Sequence, residues 1–206
     1  MIKNLIFDFG HVVVRFDPDY MTGCVTKEKG EFETLRDVVF NPKTFEKTDK
    51  GEITAEQHKA IVCADLPAHL HKKACEILDT WYLNLPFWPG MEQLLKDAKK
   101  AVYKLYLLSN INIQFSENRA KVDKLKLFDG IGLSSEIKHV KPEPIIYNTL
   151  LERNNLNPRD CIFIDDRQIN VDGGEAVGIK GYLFDGETEK LRDYINNADD
   201  IAYKIN

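Results

Sequence analysis

The chain has 206 residues, 43% of them hydrophobic and 30% charged, which is the make-up of an ordinary globular protein long enough for one large domain with an insertion. Lys+Arg 28 against Asp+Glu 33 leaves a net charge of −5, and no Lys/Arg run is long enough to form a nucleic-acid or polybasic membrane surface. No stretch nears the ~20 apolar residues of a membrane span, and Asp8 interrupts the apolar start, so no signal peptide is expected and the expected compartment is the cytoplasm.

In chain order, residues 4–7 read as a short apolar strand running into Asp8-Phe9-Gly10-His11. A carboxylate closing an apolar strand is costly unless something uses it. Residues 16–86 show no strand pattern. Helices are expected at 18–27, 31–40, 54–64 and 67–83, the third opened by the Thr54-x-x-Gln57 capping box. Leu66, Leu70, Ala74, Ile77, Leu78 and Trp81 recur at helical spacing and predict one buried stripe. Phe45, Trp81 and Trp88 are aromatics of the kind that line either a pocket or a core.

From residue 87 the texture changes to alternating helices and strands. Strands are expected at 103–108, 130–133, 161–164 and 181–184, with helices at 90–100, 113–125, 143–154, 169–177 and 187–196. Pro89-Gly90 and Pro142 are read as helix openings. The pattern predicts a doubly wound α/β fold: a parallel-sheet core from 1–15 and 87–206, with 16–86 inserted after the first strand as a helical unit. Cys24, Cys63, Cys75 and Cys161 form no C-x-x-C pair and no zinc spacing, so free, buried thiols are expected. His69 and His71 point apart on a helix and make no metal pair.

In open α/β sheets, ligands bind beyond the carboxyl ends of the strands. Asp8, Ser109 and Asp165-Asp166 all fall at such ends, with Lys141 in a loop before a helix. Two carboxylate sites, a hydroxyl and an ammonium suit phosphate and metal chemistry. Each also has an ordinary role: Ser109 as a turn residue, Lys141 as a solvated lysine, Asp165 and Asp166 as helix caps. Asn110 and Asn112 serve equally well as caps or as pocket residues. Asp8-Phe9-Gly10 is not a kinase motif, because no glycine-rich loop with a downstream strand lysine precedes it.

Four marks in order, residues 7–12, Leu107-Leu108-Ser109-Asn110, Lys141-Pro142 and the run Asp165-Asp166 to Asn170, make the chain resemble the haloacid dehalogenase-like phosphatase superfamily over its whole length. Within it, the chain is similar to bacterial α-glucose-1-phosphate phosphatases and the phosphatase domain of soluble epoxide hydrolases. The resemblance implies a helical cap at 16–86 and an Asp8 nucleophile that forms an aspartyl-phosphate. It implies Mg²⁺ held by Asp8, the Gly10 carbonyl and Asp166, with substrate phosphate held by Ser109 and Lys141. It places Asn110 and His11 near substrate, and Asp165 and Asn170 as supports of the metal ligands. The expected activity is hydrolysis of a small phosphorylated metabolite. Neither nucleic acid nor membrane is an expected partner, and monomer and homodimer stay open.

Gly10 departs from the common pattern, in which a second Asp protonates the leaving oxygen and later activates water. General acid–base help is worth about 10²–10⁴-fold. Its loss favours esters with good leaving groups, of which a sugar 1-phosphate such as glucose 1-phosphate is the foremost expectation; otherwise His11 takes over the proton, or the protein only binds phosphates. A 2-haloacid dehalogenase also uses an Asp nucleophile, but Asp165-Asp166 would repel a carboxylate substrate.

Overall fold

A computed structural model describes residues 1–83, 85–198 and 204–205. The strands are β1 (Asn4–Phe7), β2 (Lys104–Ser109), β3 (Gly130–Leu133), β4 (Cys161–Asp165) and β5 (Lys180–Leu183). They form one sheet in the order β3-β2-β1-β4-β5, every pairing parallel. The chain leaves the central β1 toward β2 and β3, then returns to the other side of β1 for β4 and β5. That reversal opens a crevice at the carboxyl ends of β1, β2 and β4. The expected doubly wound α/β fold is the one that forms.

Side chains alternate across the sheet, and both faces are covered at its centre, which is why the interiors of the central strands are apolar. Leu5, Phe7, Leu105, Leu107, Ile162 and Ile164 face one core, which includes Met91, Leu94 and Leu95 of α6 (Met91–Lys100) and Leu191 and Ile195 of α11 (Thr188–Asn197). Ile6, Tyr106, Leu108, Cys161 and Phe163 face the other, with Ile146, Tyr147 and Leu150 of α9 (Pro144–Arg153). The helix α10 (Gln168–Ala176) comes very close to the sheet. A Cβ on its Gly174 would sit 2.9 Å from the Phe163 ring, and one on Gly173 would sit 2.9 Å from Pro142.

Five helices lie between β1 and α6: α1 (Pro18–Gly23), α2 (Lys29–Val39), α3 (Pro42–Asp49), α4 (Ala55–Ala64) and α5 (His71–Thr80). Leu35, Val39, Val62, Leu70, Ala74, Ile77, Leu78 and Trp81 belong to the same apolar cluster as the sheet residues Leu5 and Phe7. The predicted stripe is buried at every position, and the Thr54–Gln57 capping box forms with both hydrogen bonds.

Several expected elements differ. The helix expected at 67–83 is a 3₁₀ turn, Ala68–Leu70, followed by α5, with the His71 ring bonded to the Leu66 carbonyl at 2.9 Å. The helix expected at 113–125 shortens to α7 (Ile113–Asn118) and two 3₁₀ turns. Asn118 donates its side chain back to the Gln114 carbonyl at 2.9 Å, a local bond that competes with helix propagation, and Val122 is extended. Pro142 does not open α9; Pro144 does, because Glu143, preceding a proline, is held extended. The helix α3 was not anticipated, nor was the short α8 (Ser134–Ile137). All four cysteines are free, but only Cys161 is buried; Cys63 and Cys75 are half-buried with sulfurs 3.9 Å apart, and Cys24 is exposed. Among the described residues no helix is long and apolar enough to cross a membrane.

Candidate active site

The register sets the site. Phe7 pairs with Leu107 on one side and Ile164 on the other, so the next residues, Asp8, Leu108 and Asp165, stand level at the crevice. The Asp8 backbone N–H still donates to the Ile164 carbonyl at 2.9 Å, which fixes the residue before the chain turns away. Its Oδ1 accepts the Phe9 N–H at 2.7 Å and lies 2.8 Å from the Lys141 ammonium. Among the described residues Oδ2 has no such partner. Burial raises the Asp8 carboxyl to about 6, with Lys141 opposing the rise and Asp165 adding to it.

Lys141 is buried to within 1% at its side chain, and its Nζ bridges Asp8 Oδ1 (2.8 Å) and Asp165 Oδ2 (2.6 Å). Burial opposes its charge, but the two carboxylates outweigh that and hold its pKa above the ordinary value. Its backbone is clamped from β2: Asn110 Oδ1 accepts the Lys141 N–H at 2.7 Å, and Asn110 Nδ2 donates to the Lys141 carbonyl at 3.1 Å. Asn110 therefore lines the cavity with its amide already engaged in aiming the lysine. Asn112 caps α7 through the Phe115 N–H at 3.0 Å and also lines the cavity.

Asp165 is fully buried and has no oxygen left over. Its Oδ2 meets Lys141, while Oδ1 accepts from Asn170 Nδ2 and from the Arg167 N–H, both at 2.9 Å. Asp166 has no ion-pair partner among the described residues; burial and then Asp165 raise its carboxyl, with His11 opposing. Oxygens of Asp8, Asp165 and Asp166 lie within 4.8 Å of one another. The Asn170 Oδ1 beside them is buried without a partner. With Asp165 engaged, the oxygens of Asp8 and Asp166 stand open to a hard cation, which prefers an all-oxygen set.

Ser109 closes β2 and is 2% exposed at the cavity wall. Gly10 is not there for want of space: a Cβ would meet only Phe16 Cβ, at an ordinary 3.5 Å. His11 has a positive φ of 60°, is exposed, and sits edge-on to the Phe16 ring at 6.0 Å.

The cavity over these groups measures about 720 Å³. Residues 16–86 contribute one of its walls: the rings of Phe16, Phe40, Phe45 and Trp81, and Glu46, Asp49 and Lys50 of and after α3. Phe16 touches the other three rings edge-on at 5.5–6.2 Å. Of the aromatics flagged from sequence, Phe45 and Trp81 line the cavity, whereas Trp88 packs on Phe184 and donates its indole N–H to the Gly186 carbonyl. Asp49 was missed. Burial, then the charges of Asp8 and Glu46, raise its carboxyl to about 7 against the pull of Lys141. The signal for α3 lay in Asn41-Pro42, a capping residue before a first-turn proline, and Asn41 does cap it through the Lys43 N–H at 3.0 Å.

Residues 2–178 match the haloacid dehalogenase-like hydrolases. A D-ribitol-5-phosphate phosphatase of Bacteroides thetaiotaomicron is 24% identical over 192 residues, 88% of this chain and 91% of that protein. A sesquiterpene phosphatase of Aspergillus oryzae is 28% identical over 182 residues, 87% of this chain and 88% of that one. The crystal structure of a HAD-family enzyme of Bacteroides thetaiotaomicron, in complex with magnesium and inorganic phosphate, is similar with a TM-score of 0.66, covering 93% of this chain and 99% of that chain at 24% identity.

Proposed function

The chain belongs to the haloacid dehalogenase-like hydrolase family, and we propose that within it the protein is a Mg²⁺-dependent phosphomonoester hydrolase acting on a small phosphorylated metabolite. The observation that carries this reading is the Lys141 ammonium bridging Asp8 and Asp165 at the foot of a cavity, with Asp8 Oδ2 open toward an incoming group. A dehalogenase attacking carbon has no use for a further open carboxylate, and Asp166 supplies one beside Asp8.

Asp8 attacks phosphorus in line and forms an aspartyl-phosphate, so that one hard step becomes two. Lys141 and Ser109 hold the phosphoryl oxygens, and the lysine is aimed before substrate arrives by Asn110 and Asp165. Asp8, the Gly10 carbonyl and Asp166 would hold Mg²⁺, and Asn170, whose Nδ2 bonds Asp165 and whose Oδ1 is buried without a partner, would support that set. The bound ion would offset charge on the phosphoryl oxygens. Residues 16–86 act as a cap that walls off solvent, and their aromatic rings pack against the ester's organic part.

One of the relatives supports a sugar or polyol phosphate, being named for ribitol 5-phosphate. The narrower reading, a sugar 1-phosphate such as glucose 1-phosphate, follows from Gly10 and holds for a site with no other proton donor. A diffusible cytoplasmic metabolite is in keeping with four free cysteines. The test is phosphate release by the purified chain from a panel of esters, including glucose 1-phosphate, glucose 6-phosphate and ribitol 5-phosphate, with Mg²⁺ or with chelator and beside Asp8→Asn. We expect release that needs metal and is lost in Asp8→Asn. No release from any ester overturns the reading, and chelator-insensitive halide release from 2-haloacids replaces it with the dehalogenase.

A further inference from the structure

The loop after β1 has glycine at residue 10 and no second carboxyl, yet α3 brings one into the same cavity. We propose that Asp49, the last residue of α3, is the catalytic acid and base of this site: it protonates the leaving oxygen and then deprotonates the attacking water. The inference rests on the phosphomonoesterase reading and deepens it.

Three observations carry it. Asp49 lines the cavity together with Asp8 and Gly10, on the wall contributed by residues 16–86. Its carboxyl has no hydrogen-bond or ion-pair partner among the described residues, whereas nearby Glu46 is paired with Lys50 at 2.8 Å and Asp165 is fully engaged. Its backbone is fastened to the sheet half of the molecule. Ser134 Oγ donates to the Asp49 carbonyl at 2.6 Å while accepting the Ile111 N–H at 2.9 Å, and Lys138 Nζ donates to the Gly51 carbonyl at 2.8 Å. These bonds tie the end of α3 to the residues that follow β2 and β3, so the backbone that carries the carboxyl is held to the sheet half of the molecule.

Burial and the charges of Asp8 and Glu46 favour the protonated form, and Lys141 opposes them; the resulting pKa of about 7 suits a group that must give and take a proton near neutral pH. His11 is a weaker candidate, because it is exposed, edge-on to Phe16 and close enough to Asp166 to be felt by its charge.

The step balances. Asp8 Oδ forms a bond to phosphorus as the ester P–O bond breaks. The electron pair goes to the leaving oxygen, which takes the Asp49 proton and departs as an alcohol. Water then attacks the aspartyl-phosphate, gives its proton to the Asp49 carboxylate, and releases inorganic phosphate from a regenerated Asp8. With a donor in place, the enzyme is not restricted to acidic leaving groups, and the grounds for confining it to sugar 1-phosphates fall away.

The test is leaving-group dependence in the full chain with Mg²⁺, read as kcat/KM because that constant reports the first chemical step. Asp49→Asn should lose on the order of 10²-fold or more on ribitol 5-phosphate, an alkyl ester, and much less on 4-nitrophenyl phosphate, whose phenolate needs little protonation. Adding Gly10→Asp to Asp49→Asn should restore most of the alkyl rate, since a Cβ at residue 10 meets only an ordinary contact. Equal losses on both esters, or no loss on either, overturn the assignment. A selective alkyl loss in His11→Ala and none in Asp49→Asn moves the role to His11 and overturns it too. A wild-type chain that releases phosphate neither from these two esters nor from any other ester of the panel fails the hydrolase reading itself, a different result from any of these.

Discussion

Replacing Lys141 with Met removes the single ammonium between Asp8 and Asp165 while keeping a stem of similar length. The side chain is 1% exposed, so no water replaces the lost charge. Two carboxylates are left with oxygens within 4.8 Å of each other, which at an effective dielectric of about 20 repel by ~3 kcal/mol or more. Breaking a buried ion pair from one side costs about 3–5 kcal/mol. The cost depends on pH in a fixed direction. Asp8 is already raised from 3.8 to about 6 in the folded protein, so its contribution favours folding fully below pH 3.8 and is lost as pH rises through 6. Without Lys141, the foremost influence holding that value down, the folded pKa moves higher and the loss continues above pH 6. Urea unfolding of wild type and Lys141→Met, in chelator at pH 5 and pH 8, should show a deficit of about 3–5 kcal/mol at pH 8 and a clearly smaller one at pH 5. Equal deficits at the two pH values, or one below ~1 kcal/mol at pH 8, would refute the account of Lys141 as the counter-charge of a buried carboxylate pair.

Two further substitutions probe how the walls are held. Ser134→Ala strips the Asp49 carbonyl and the Ile111 N–H of a shared partner and should cost about 1–3 kcal/mol in urea, with a larger rate loss on alkyl than on aryl phosphates. Trp81→Ala removes a ring that touches Phe16, Phe45, Tyr82 and Phe115 and should cost about 3–5 kcal/mol. A loss under ~1 kcal/mol in that variant would mean that residues 16–86 are not packed with the sheet half as one body.

What the sequence displayed well were features set by local pattern. Short apolar runs gave all five strands to within one residue, most clearly in β1, β2 and β4, whose interiors are buried on both faces. Asp8, Ser109 and Asp165 stood out because a polar group closing such a run is unusual. The helix α3 stayed hidden because Pro42–Asp49 contains one large apolar residue, Phe45, so hydrophobic periodicity had nothing to register. Asp49 was illegible for a deeper reason. Its presence in the cavity depends on where α3 is laid relative to β1, and that is decided by Ser134 and Lys138, more than eighty residues away in the chain. Likewise, nothing local distinguishes Asp165 from Asp166; the bonds to Lys141, Asn170 and Arg167 do.

The central position of β1 bears on how the protein is made. The strand that carries Asp8 is made before both of its sheet neighbours, yet Leu5 pairs with Leu105 on one side and Ile162 on the other. At about 5–20 residues per second, the second neighbour emerges roughly ten to thirty seconds after the first strand. Throughout that interval Leu5, Ile6 and Phe7 keep an open edge on the side that β4 will cover. Asp8 is thus made well before its surroundings are complete, and a nascent chain stalled before β4 would expose an apolar strand with the Lys141 ammonium and no Asp165 to receive it.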